Sequence, residues 1–358
     1  MDINTRLNNL SSRRYDRAIV GDSGIESLSK SLLFENQYNF SSLAEKEKWT
    51  KYVLDSMAEV SKRSTEISFE EGEKVKNHLK EHLKDYGLSA EFRFQGSVIN
   101  NTHIKGYSDI DLLVITDKYY TLEKPQVPTF PYEGNPLDDL NELRRVCTEI
   151  LREAYSAAKI DTSGAKSITI SGGSLRRDID IVPANWFDSN LYHQYPQYDY
   201  LRGIQVYNKK DNSRDTNYPF YNKELLNRKD ARTDFLYKSV VRLAKNVRCD
   251  SDNKVVQNIS SYDIQAIFYH MNDLCFSNIQ GIDVVPVITR YLEQLIKKPL
   301  SYMKLLVPDE TRLISDKVSL HELTLLYDEF NEINSKLHYA TFHTILSTMN
   351  NMIMEQGA

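Results

Sequence analysis

The stretch Asp109–Ile115, DIDLLVI, constrains the fold of this chain more than any other segment. Its aliphatic and β-branched density is that of a buried strand, and side chains at i and i+2 of a strand leave the same face. Asp109 and Asp111 therefore stand side by side. Two carboxylates held so close raise each other's proton affinity unless a cation lies between them. A Gly96-Ser97 pair ends twelve residues before Asp109. Glycine lets backbone approach a phosphate closely, while the serine hydroxyl and neighbouring N–H groups donate to it. Magnesium takes oxygen ligands, commonly one or two carboxylates together with substrate phosphates. Paired aspartates alone are a weak signal in a chain with 50 acidic residues. With Gly-Ser upstream and an apolar strand downstream, the combination reads as a metal-assisted phosphate-transfer site.

A third carboxylate is expected on a neighbouring strand. The segment SITISGGSLRRDIDIVPANWF contains an alternating strand with Ile168 and Ile170, a Gly172-Gly173 turn, and a second strand carrying Asp178 and Asp180. This is the pattern of a hairpin. Parity puts Asp178 and Asp180 on one face, so spacing does not choose between them. Arg176 and Arg177 are nearby ion-pair partners for Asp178, which favours Asp180 as the metal ligand.

Around these strands the periodicity predicts helices over 39–62 and 66–86, packed behind the sheet. The second has Ser68 as its N-cap and Val75, Leu79 and Leu83 on one side. A Pro-rich loop, Lys124 to Pro136, follows the DID strand, then a helix over 137–158. RGIQVYN, the turn-rich KKDNSRD and NYPF suggest a second hairpin. Helical patterns occupy 221–248, 260–279, 283–298 and 319–354. The class is α+β: a mixed β-sheet flanked by helices over residues 1–220, then a helical lobe over 221–358, with a cleft between them. His103, between the two motifs, reads as a solvated loop histidine, and KVKNHLKEHLK at 74–84 as a solvated helix face.

Composition narrows the class of protein. At 358 residues, 41% hydrophobic, the chain is long enough for two lobes with a substantial core. No apolar run approaches the roughly 18–20 residues that cross a bilayer, and MDINTRLNNL has no apolar signal region, so a cytoplasmic enzyme is expected. Three scattered cysteines imply reduced thiols, not a disulfide framework. A net charge of −5 argues against constitutive binding to a nucleic-acid duplex.

Gly-Ser, then DID in an apolar strand, then an acid before Val182-Pro183-Ala184, resembles the DNA-polymerase-β-like nucleotidyltransferase superfamily. More specifically, it resembles the bacterial cyclic-oligonucleotide synthases related to cyclic GMP-AMP synthase, the cGAS/DncV-like nucleotidyltransferases. The resemblance covers most of residues 60–290, where FLYKSVVRLAKNVRCD and NISSYDIQAIFYHM are similar to the family's phosphate-contacting helix and Ser-Tyr pair. It implies a nucleotidyltransferase palm, with Asp109, Asp111 and Asp180 as catalytic residues and ligands of two Mg2+ ions, or Mn2+ in their place. By the same resemblance Gly96, Ser97, Lys245 and Ser261 contact phosphates and Tyr262 stacks on a base. Base selection is not legible in the sequence; Asn185, Tyr207 and Tyr262 are candidates for it. It implies a cyclic di- or trinucleotide made from nucleoside triphosphates with release of pyrophosphate, acting on a downstream effector in anti-phage defence. It also implies a role for Gly357-Ala358 in joining to a ubiquitin-like conjugation system. The chain departs from the animal DNA sensor in having no His-Cys-Cys cluster from which to build a zinc ribbon. Two alternatives share the acids: an RNA-terminal or small-molecule nucleotidyltransferase making linear products, against which the acidic balance counts, and a catalytically inactive nucleotide-binding regulator.

Overall fold

The computed structural model describes residues 1–14, 45–105 and 108–337. They form two compact units, one of residues 60–225 and one combining 1–59 with the chain from 226 onward. Gly357-Ala358 lies outside the described residues.

The first unit is built on a seven-stranded mixed sheet. Its strands are β1 (Ala90–Gln95), β2 (Ile110–Leu122), β3 (Lys159–Asp161), β4 (Ile168–Ser171), β5 (Ile179–Asp188), β6 (Gly203–Asn208) and β7 (Ser213–Asn217). The order is β1-β2-β5-β4-β3, with β6 pairing both β5 and β7. β2 and β5 run parallel while the other pairs are antiparallel. Parallel neighbours require a crossover, which the helix Pro136–Ala154 supplies. Both expected hairpins form, but the return strand of the second is Ser213–Asn217, largely inside the stretch expected to be its turn, and not NYPF. Gly172 and Gly173 turn the first with φ of 73° and 63°, values that favour residues without a Cβ.

Within this unit α1 (Lys62–His82) and α2 (Pro136–Ala154) cover one face of the sheet. Val75 and Leu79 from α1, Leu83 just past its end, and Leu140, Leu143 and Ile150 from α2 pack with Ile110, Leu112, Ile179 and Ile181. Fully burying each such side chain contributes about 1.5–3 kcal/mol. The N-cap of α1 is Ser61, which accepts from the Ser64 N–H, and not the expected Ser68. Ser68 lies one turn inside the helix, buried, with its hydroxyl donating back to the Ser64 carbonyl at 3.3 Å. The Pro-rich stretch is an exposed irregular loop that ends where Asn135 caps α2 and Pro136 takes its first position.

The second unit is helical. Residues Ile3–Arg14 and Glu45–Met57 share a core with Leu236–Cys249 (α3), Ser261–Tyr269 (α4), Val284–Lys297 and Leu320–Lys336. The described part of the helix expected over 39–62, Glu45–Met57, therefore shares the core of this unit and not that of the sheet, as does Ile3–Arg14. A buried ion pair ties this arrangement together. Arg13 grips Asp250 with two bonds of 2.7 and 2.6 Å, and the Tyr52 hydroxyl donates to the same carboxylate at 2.9 Å. The helix expected over 221–248 is broken at Asp234 and Phe235, whose φ values of 49° and 61° no helix accommodates.

Candidate active site

Sheet register assembles the acidic residues into a row. Gln95 of β1 pairs with Asp111 of β2, Asp111 with Asp180 of β5, and Asp180 with Thr169 of β4. Residues paired in register share a face, and neighbouring strands lie about 4.8 Å apart, so these four side chains stand abreast. Further along that face Leu113, Val182, Ala184, Trp186, Ile204 and Val206 pack together and are buried.

Register also chooses between the two acids of β5. Asp180 lies directly opposite Asp111, whereas Asp178 precedes the strand and is exposed. The arginine argument fails on geometry, because Arg176 pairs with Glu70 and Glu71 at 2.9 and 2.8 Å. Arg177 is buried and donates to Ser64 and Ser68 of α1.

The electrostatics follow from this crowding. Burial, then Asp180 and then Asp109, push the Asp111 carboxyl up to about 7. Asp109 is raised by partial desolvation, then by Asp178 and Asp180, with Lys105 opposing. The Thr169 hydroxyl donates to Oδ1 of Asp180 at 2.5 Å, fixing that carboxylate's orientation. A carboxyl group pushed up by its neighbours gains most from a cation that neutralises them.

Gly96 is held at φ 88°, and a Cβ built there would sit 2.0 Å from Oδ2 of Asp111. Only glycine leaves room for that carboxylate. The helical turn Gly96–Ile99 begins at this point, and the Ser97 side chain is partly exposed, with no hydrogen-bond partner among the described residues. Asp111 and Asp180, abreast in register, are the two carboxylates between which a divalent ion would be held, its shell completed by phosphate and water oxygens. Among the described residues no group of three or more His, Cys, Asp or Glu forms a preassembled metal cage.

Asn185 and Tyr207 are on the opposite face of the sheet from the acid row. Tyr207 is in the core beneath α1 and α2, and the Asn185 amide donates to Thr121 Oγ1 at 3.1 Å and to the Trp186 carbonyl at 2.8 Å. His103 is 3% exposed, not solvated, with Nε2 3.1 Å from Thr65 Oγ1. Lys245, Ser261 and Tyr262 belong to the helical unit. Lys245 is buried on α3, and Ser261 opens α4 after the capping Ser260. The Tyr262 hydroxyl donates to Asp309 at 2.9 Å, and the Arg312 guanidinium lies 5.5 Å from its ring. Sequence reasoning missed Gln95 and Thr169, which flank the acids. The alternation in AEFRFQ was the signal for the first, and the hairpin's own pairing for the second.

Among the described residues no helix is long and apolar enough to cross a membrane. Residues 73–161 match the nucleotidyltransferase domain model, and 224–353 match the C-terminal helical domain model of the cGAS/DncV-like nucleotidyltransferases. The chain is 32% identical over 288 residues to the cyclic dinucleotide synthase CdnE of Yersinia aleksiciae, covering 79% of this chain and 75% of that one. It is 34% identical over 272 residues to a c-di-GMP synthase of Capnocytophaga granulosa, covering 69% and 74%. The structure of the STING-associated CdnE c-di-GMP synthase from Capnocytophaga granulosa superposes with a TM-score of 0.72 at 30% identity, over 94% of this chain and 99% of that one. A palm-type acid row and a helical unit that matches the family's own C-terminal domain agree with these likenesses, and the chain is a nucleotidyltransferase enzyme of the bacterial cGAS/DncV-like family.

Proposed function

We propose that this enzyme joins two nucleoside triphosphates into a cyclic dinucleotide with release of pyrophosphate. The observation that carries the reading is the row Asp111–Asp180, abutted by a glycine that no other residue can replace without displacing the Asp111 carboxylate. The relatives that are c-di-GMP synthases make GTP the first substrate to test. The product would act as a second messenger on a downstream effector, a reading supported by the STING association of the Capnocytophaga relative, and we place that signalling in anti-phage defence.

Asp109, Asp111 and Asp180 would hold Mg2+. When bound, the divalent ion neutralises the triphosphate and lowers the proton affinity of the acceptor hydroxyl. The remaining work belongs to the chain. Ser97 donates to a phosphate oxygen. Asp180, with Oδ1 fixed by Thr169, presents Oδ2 toward the acceptor ribose. A ribose oxygen of one nucleotide forms a bond to the α-phosphorus of the other as the bond to pyrophosphate breaks, and a second such attack closes the ring. Positioning and charge neutralisation supply most of the acceleration in this chemistry, so no covalent nucleophile is needed. Pyrophosphate release from GTP, alone and with each other nucleotide, tests the assignment. The parent should release it, and Asp111→Asn and Asp180→Asn should not while retaining the parent's circular dichroism. Release undiminished in either variant would overturn the reading.

A further inference from the structure

The basic run on α1 forms its own ion pairs: Lys74 with Glu71 at 2.8 Å and Lys76 with Glu73 at 2.9 Å. Besides Lys80 and Lys84, the run carries two imidazoles. His78 and His82 are four residues apart, the spacing that places helix side chains on one face. Their ring centroids lie 4.4 Å apart with the planes inclined at 49°. Two histidines at i and i+4 on one helix face hold a single ion in H-E-x-x-H sites, through bonds of about 2.0–2.1 Å each.

The surroundings prepare the pair for ligation. His82 Nδ1 is 3.0 Å from Asp85 Oδ2, and because an ionised carboxylate only accepts, Nδ1 donates and the lone pair resides on Nε2. A histidine whose second nitrogen is fixed by a carboxylate is the usual arrangement of a metal ligand. The His78 ring packs edge-on against Tyr155, with centroids 5.9 Å apart. The His82 side chain is 42% exposed, so an ion reaches the pair from solvent.

We propose that His78 and His82 form a binding site for a late first-row transition dication, Zn2+, Ni2+ or Cu2+, with Asp85 as the positioning residue of His82. Imidazole nitrogen selects these ions over Mg2+, which takes oxygen ligands, so the site is chemically distinct from the acid row. Because no third protein ligand completes it among the described residues, water fills the remaining positions and the ion exchanges. Bound metal bridges the last two turns of α1.

Titration of the full chain with Cu2+ in excess Mg2+, read by electron paramagnetic resonance, tests this. One equivalent should bind with the splitting of two imidazole nitrogens. His78→Gln and His82→Gln should each weaken binding about tenfold or more, and Asp85→Asn should weaken it roughly tenfold. Circular dichroism checks that the variants are folded, and because none of the three residues belongs to the acid row, pyrophosphate release should be unchanged. If either histidine variant keeps the parent's affinity and nitrogen pattern, or if Asp111→Asn abolishes binding, the proposal is wrong.

Discussion

Replacing Gly96 by alanine separates the site from the fold. The residue sits at φ 88°, where a Cβ costs about 1–2 kcal/mol of backbone strain. The new methyl would meet Oδ2 of Asp111 at 2.0 Å, against 3.4–4 Å for ordinary contact, so the carboxylate must move by more than an ångström. A side-chain carboxylate can rotate away, which limits the structural cost to the strain itself. For a unit of this size that corresponds to a fall in Tm on the order of 2–8 °C. The catalytic cost is larger, because a misplacement of about 1 Å at a reacting centre lowers the rate roughly 100-fold. Thermal unfolding and initial rates of pyrophosphate release on the same preparation give both numbers. A variant with a depressed Tm and near-parental rate would show that the position of Asp111 does not limit catalysis. Loss of the fold would show that the overlap is relieved through the backbone, contrary to this reasoning.

Without metal, the raised Asp111 carboxyl, at about 7 against an ordinary 3.8, means the folded chain holds a proton there that the unfolded chain has lost between those pH values. Stability then falls as pH rises through that window, and Asp111→Asn should flatten the trend in urea melts at pH 5–8. Arg13→Ala leaves the fully buried Asp250 without its two-bond partner and should destabilise the helical unit by about 3–5 kcal/mol, read by urea denaturation. Thr169→Val removes the bond that orients Asp180 and should lower kcat about tenfold with little change in KM, and Thr169→Ser should restore it. A rise in KM alone would assign Thr169 to substrate binding.

The acid pairs were legible because strand parity is a local property: two residues on, a side chain returns to the same face. Which acid of β5 faces Asp111 was not, since that depends on the register of two strands separated by more than sixty residues. The partners of Arg176 show the same limit, being glutamates on α1 that no window around residue 176 contains. β1 was hidden because Glu91, Arg93 and Gln95 occupy its acid-row face and let it pass for a continuation of the charged helix before it. The helix at Glu45–Met57 displayed an apolar face in its sequence, but periodicity does not name the neighbour that covers it. The break at Asp234-Phe235 lacks any glycine or proline to announce it.

The central claim is ring formation on this acid row, and its most direct test is mass spectrometry of phosphatase-treated products. Parent and Asp111→Asn would be incubated with GTP, and with GTP paired with each other nucleoside triphosphate, in the presence of Mg2+. The account predicts a phosphatase-resistant species at the mass of a cyclic dinucleotide from the parent and none from the variant. Linear oligonucleotides alone, or the cyclic species from both proteins, would contradict it.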